Sequence, residues 1–217
     1  MGQKTKTAWM ARVCGAIILC GITTIALRAQ NSHEPFGGIE ATGANLGPNL
    51  IINGAFGMGN TGFVSDYADG NVYGPGTYVI GPSPCKAPGH WSDWECFPPH
   101  NGHLMFIANG GNSESETVWS ETLNVAPGAS YIVSFWAATL NTSIGSPAQL
   151  LLQINGRVLA QIVLPDQSPV SGGSWVSLNV YWASAESSTA TVVILDANTS
   201  TSENDFVVDD VNFRQLL

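Results

Sequence analysis

The closing stretch Asn204–Phe213, NDFVVDDVNF, decides how the chain is read. Val207, Asp209, Val211 and Phe213 fall on one parity of a two-residue repeat, the spacing of side chains along one face of a β-strand. The pattern predicts a strand that turns three apolar residues and one acid the same way. A carboxylate among apolar neighbours is costly unless something pairs with it. A bound cation answers that need, and so do backbone N–H groups or water near a strand end; both answers stay open at this point.

Working back from that strand, short β-rich runs alternate with turn residues. Thr77–Ile80, Leu104–Ala108, Thr117–Val125, Tyr131–Thr139, Trp175–Ala183 and Ala190–Asp196 read as strands, and Asn49–Ile52 opens the set. Ala148–Ile154 and Arg157–Leu164 flank Asn155-Gly156, the strongest short hairpin signal. Pro127-Gly128 suits the centre of a type II turn. No helix-period segment and no internal repeat interrupts the series. The fold class is therefore all-β, a two-sheet β-sandwich of the jelly-roll kind.

The start of the chain reads differently. Lys4, Lys6 and Arg12 precede the apolar run Val13–Leu27, and small Ala29 stands before polar Gln30. That order is a signal peptide over residues 1–29, cleaved before Gln30. At this length the apolar run is short for a span that needs roughly 20 residues. Residues 30–48, rich in Gly, Asn and small side chains, read as a flexible leader, and 49–217 as one domain. The expected location is outside the cell, with no membrane insertion after cleavage.

Cleavage would remove four of the seven basic residues. Lys86, Arg157 and Arg214 then stand against all 16 acids, a net charge of −13. Such a surface repels nucleic acid and anionic lipid and suits cations or neutral ligands. Cys85 and Cys96 are the cysteines left, and in an oxidising compartment they pair as a disulfide. A thiol metal site with His90 and His100 is the rival, but the CxxC spacing of a zinc knuckle is missing. The disulfide sits in Gly81–Gly102, a long loop with five prolines, Trp91, Trp94 and Phe97. A loop of this length is usually functional or mobile.

Asn49–Phe56 (NLIINGAF), Phe206–Phe213 (FVVDDVNF) and Val125–Tyr131 (VAPGASY) running into Ser134–Trp136 (SFW) together resemble the galactose-binding-like jelly rolls. The resemblance is in particular to carbohydrate-binding modules of the cellulose and xylan type and their bacterial extracellular relatives, and it spans Asn49–Phe213. It implies a structural calcium between the first and last strands, with Asp209 as ligand, Asp210 second, and carbonyls near Asn53 completing the shell. Gly57 stands where the family's opening motif usually carries an acid.

Sugar recognition calls for aromatic plates and for amide or hydroxyl groups at the ring's rim. Strand parity, with Tyr131, Leu150 and Leu178 inward, sends Trp136, Gln149, Gln153, Asn179 and Tyr181 outward, and these are expected to line one concave sheet face. Leu151 and Ile132 share that parity, so a loop could instead cover the face. Tyr67, Tyr73, Trp91 and Trp94 are loop aromatics that either meet ligand or pack on the disulfide loop. Trp119, Trp175 and Trp182 are structural. His90, His100 and His103 lie near Asp93 and Glu95, but neither H-E-x-x-H nor G-x-S-x-G is present. No catalytic residue is assigned. The expected role is non-catalytic glycan binding, with polysaccharide or a cell-surface glycan as partner; the alternative is a structural or adhesive protein using the same fold for protein–protein contact.

Overall fold

Asn155 and Gly156 take φ of 50° and 79°, the left-handed pair that a two-residue hairpin between twisted strands demands. They join β7 (Gln149–Ile154) to β8 (Arg157–Val163). Gly128, at φ 74°, turns the chain from β5 (Glu116–Asn124) into β6 (Ser130–Thr139). The remaining strands are β1 (Leu46–Asn49), β2 (Ala68–Asp69), β3 (Thr77–Gly81), β4 (Met105–Asn109), β9 (Val176–Ala183), β10 (Thr189–Asp196) and β11 (Phe206–Leu216). The structure, a computed structural model, describes residues 45–113, 116–142, 145–165 and 173–217. The signal peptide at 1–29 and most of the leader at 30–48 lie outside the described residues.

One sheet runs β2-β3-β4-β11-β6-β9 with β1 also on β11, and the other runs β5-β10-β7-β8. The two-sheet jelly-roll sandwich is the fold observed. Phe106, Val133, Phe135, Leu178 and Phe213 of the larger sheet meet Val118, Trp119, Leu150, Leu152, Val192 and Ile194 of the smaller across one apolar core. Each such side chain contributes on the order of 1.5–3 kcal/mol relative to exposure.

The opening segment runs beside the closing strand, but from earlier than the sequence suggested. β1 begins at Leu46, inside the expected leader, and pairs Leu46 with Leu216. Its continuation stays attached: Leu50 N–H donates to the Phe213 carbonyl at 2.9 Å, and Val211 N–H donates to the Gly54 carbonyl at 2.9 Å. The Asn49 side-chain oxygen accepts from Phe213 N–H at 2.8 Å.

Strand β11 departs from simple alternation. Asp209 pairs with Trp136 and Asn212 with Ser134, so two residues of β11 oppose one of β6. This is a β-bulge, and Asp210 takes φ 50° within it. Before the bulge Phe206 and Val208 enter the sandwich core; after it Val211 and Phe213 do. Val207 packs instead into a second apolar cluster on the sheet's other side. The expectation that Val207 and Asp209 share a face with Val211 and Phe213 is therefore corrected, because the extra residue reverses the parity midway.

That second cluster explains the long loop. Cys85 and Cys96 are bonded, with Cα atoms 5.4 Å apart. The stapled loop lays Ala87, Trp94 and Phe97 over Val79, Ile107, Ala138, Leu140 and Val207 on the outer face of the larger sheet. Trp175 packs against it from the side. The loop is thus a roof with its own core, held by packing and the disulfide with only a short 3-10 turn at Pro84–Lys86.

Gly54 marks the tightest contact of the two terminal segments. A Cβ at Gly54 would stand 2.0 Å from the Val211 carbonyl oxygen. Gly54→Ala should therefore force the opening segment off the bulge and lower stability by about 2 kcal/mol or more, read as a reduced urea midpoint. A midpoint equal to that of the parent protein would show the contact to be slack.

Candidate functional site

Beyond the roof, the outer face of the larger sheet is open over β11, β6 and β9. Cross-strand pairing places Arg214, Ile132 and Tyr181 in one row, and Asn212, Ser134 and Asn179 in the next. The third row holds Trp136 and Ser177. Alternation delivers these residues: Tyr131, Val133 and Phe135 between them fill the core. Tyr181 is 56% exposed, with its ring free to meet a ligand. Asn179 donates from its amide to the Ser177 hydroxyl at 3.2 Å. The patch thus offers one aromatic plate and several neutral donors and acceptors, with a single cation at Arg214.

Trp136 lies at the border of this patch and the roof. His100 stacks on its indole with centroids 4.0 Å apart and planes 17° from parallel. The imidazole Nδ1 stands 2.6 Å from Asp210, and the Asn101 amide donates to the same carboxylate at 3.1 Å. Trp136 is therefore a wall of the patch, with one face already occupied, and Tyr181 is the open plate.

Gln149 and Gln153 are not on this face. They belong to β7 in the smaller sheet, where Gln149 accepts a hydrogen bond from the Gln161 side chain at 3.0 Å. Parity told inside from outside correctly for β6, β7 and β9. It carried no information on which sheet a strand joins, so five outward residues divide into Trp136, Asn179 and Tyr181 on one surface and the two glutamines on the opposite one. Asn212 and Arg214 of the closing strand, not among the residues expected from the sequence, join the surface because the bulge turns them to the same side as Ser134 and Ile132.

Asp209 and Asp210 share one network through Asn101, and Asn53 serves another. Asp209 is fully buried, yet its oxygens accept from Asn101 N–H at 3.1 Å and Asp210 N–H at 2.8 Å. Asp210 holds His100 and Asn101. The Asn53 side chain closes its own loop, donating to the Gly59 and Thr61 carbonyls and accepting from Met58 N–H. The Asn53 carbonyl accepts from Phe56 N–H. The carboxylate oxygens of Asp209 and Asp210 and the Asn53 carbonyl each already have a protein hydrogen-bond partner, so a calcium shell drawn from them would have to displace those partners. Backbone N–H groups, one from the bulge and one from the overlying loop, answer the buried acid.

The loop aromatics also separate. Tyr67 is buried and donates to Asp196 at 2.7 Å, while Trp94 donates from its indole N–H to Asp205 at 2.9 Å. Trp91 and Tyr73 remain exposed. Among the described residues, no three His, Cys, Asp or Glu side chains stand where they could hold one metal ion. His90 contacts the Ala87 carbonyl, away from the His100–Asp210 pair.

No family model and no curated protein matches this chain. Solved structures do. A Stig cyclase from Fischerella sp. TAU, in complex with a pyrrolidinylidene indole, superposes with a TM-score of 0.54 at 11% identity, covering 79% of this chain and 98% of its own. Family 16 Carbohydrate Binding Module-2 gives a TM-score of 0.46 at 19% identity, over 76% of this chain and 99% of its own. TmCBM61 in complex with beta-1,4-galactotriose gives 0.47 at 13% identity, over 76% and 97%. The likeness to the cyclase speaks for the sandwich fold alone.

Burial pushes the Asp209 carboxyl up to about 6, against the two backbone N–H groups and His100 that pull it down. Burial likewise raises Asp196 and Asp205. A carboxyl raised in the folded state binds its proton more tightly there than in the unfolded chain. That contribution is full below the unfolded value, about 4, and is lost as pH rises through the folded value. The melting temperature should therefore rise as pH falls from about 7.5 to about 5; a fall over that window in scanning fluorimetry would contradict the assignment. Calcium or EDTA should move the melting temperature by less than about 1 °C, since a ligand stabilises only through a site it fills. A larger calcium-dependent rise would show that a shell forms.

Proposed function

We propose that this chain is an exported, non-catalytic glycan-binding domain whose ligand lies across β11, β6 and β9. One observation carries the reading: the exposed Tyr181 ring stands in register beside Asn179, Ser134 and Asn212, with the His100–Trp136 stack closing one end. The apolar face of a pyranose packs on an aromatic ring, and its rim hydroxyls exchange hydrogen bonds with amides and serines. A rigid sheet holds these groups without a closing motion. The carbohydrate-binding modules among the structural neighbours agree with this use of the fold, and export agrees with the basic and apolar leader.

The adhesive alternative has its own support. β9 ends the larger sheet and pairs there with β6 alone, and an edge strand beside an exposed tyrosine suits contact with another chain. Glycan-array binding followed by calorimetry separates the two. Tyr181→Ala should weaken polysaccharide binding about tenfold or more, the loss of roughly one stacking contact. Asn179→Ala should weaken it less, and the folding midpoint should hold in both. Concentration-dependent self-association with no glycan bound would favour the adhesive role instead.

A further inference from the structure

A second concavity lies at the end of the larger sheet, on the far side of the roof from Tyr181. It forms where β4 ends, where β6 gives way to Asn141, and where the chain enters β11 through Asp205. Its volume is about 280 Å³, small beside the usual pocket for a drug-sized ligand and suited to one ring. Asp93, Glu203 and Asp205 line it, Trp91 stands at the rim with half its surface exposed, and no lysine or arginine is among its walls.

The interior polar groups are short of donors. Asp205 is 6% exposed and already accepts from the Trp94 indole, the Asn141 amide and Gly110 N–H. Asn141, only 2% exposed, donates from its amide to Asp205, and its side-chain oxygen has no partner. A buried amide oxygen left unpaired costs about 1–3 kcal/mol in free energy, and here it belongs to the lining of a cavity that also carries the carboxylates of Asp93, Glu203 and Asp205, with neutral hydroxyls at Thr201 and Ser202. The ligand that answers must bring several donors to one point. A metal ion is a poor answer, because the three carboxylates do not gather into a coordinating group. An ammonium group brings three donors and a charge, and it meets an acidic cavity in a chain with few cations. Trp91 adds a ring face that suits both a cation and the apolar side of a sugar.

We propose that this cavity binds an amino sugar, with the free ammonium directed to Asn141 and the carboxylates of Asp93 and Asp205, and the ring against Trp91. The site shares no residue with the Tyr181 patch, so it stands or falls separately from the proposed glycan face.

The test is a titration followed by the tryptophan indole resonances at about pH 6, where a primary amine is charged. The probes are glucosamine, glucose, N-acetylglucosamine, cadaverine and calcium chloride. Glucosamine should shift the Trp91 resonance saturably, while glucose and N-acetylglucosamine, which lack the charge, bind about tenfold or more weakly. Asp93→Asn and Trp91→Ala, both at exposed positions, should each weaken glucosamine about tenfold without changing the folding midpoint. Tyr181→Ala should leave glucosamine binding intact. Equal binding of glucose would overturn the charge argument, and cadaverine as tight as glucosamine would overturn the sugar. Calcium producing the same shift, or both variants binding like the parent, would overturn the site.

Discussion

The architecture depends on one inserted residue in the closing strand. Without the bulge at Asp209 and Asp210, strand β11 would drive an acid into the sandwich and turn two of its apolar side chains out of it. With it, Phe206 and Val208 fill the core from one half, and Val211 and Phe213 from the other. The acid is swung to the opposite side and met by the Asp210 N–H of the bulge and the Asn101 N–H of the overlying loop. The same irregularity presents Val211 N–H to Gly54, which fastens the chain's opening segment to its end. A single local departure from alternation therefore settles core, charge and closure together.

The disulfide loop turns a two-layer domain into one with three layers over part of its area. Its aromatic and apolar residues could not bury themselves within so short a loop, and the larger sheet offers Ile107, Ala138 and Val207 as an apolar floor. Where that floor ends, the roof ends, and His100 finishes it by stacking on Trp136 and engaging Asp210. The surface that remains open is polar and aromatic because nothing packs upon it. The extent of the roof thus sets where a ligand can lie.

Charge is distributed to the same effect. Acids that face solvent keep the surface negative, while Asp196, Asp205 and Asp209 are withdrawn and balanced by N–H, indole and phenol donors. Burial raises all three, so each is held at some cost at neutral pH and functions as an anchor for the loops that surround it. Asp205 in particular ties Trp94 of the roof to Asn141 and Gly110 at the sheet's end.

Local chemistry was enough for the sequence to determine the strands from β3 to β11, the Asn155-Gly156 hairpin, the Pro127-Gly128 turn, the disulfide and the inward faces of β6, β7 and β9. Each of these follows from neighbours a few residues apart, where alternation and backbone preference act. Three matters were decided only by tertiary structure. Which sheet β7 joins separated Gln149 and Gln153 from Trp136, Asn179 and Tyr181, because parity is the same on either sheet. The bulge in β11 arose from pairing with β6 and the opening segment, and no residue within NDFVVDDVNF announces it. The fate of Trp136 depended on His100, which stands 36 positions away and reaches it only because a loop is stapled and laid across the sheet. Contacts between distant segments have no period along a chain, and so they leave no pattern in it to read.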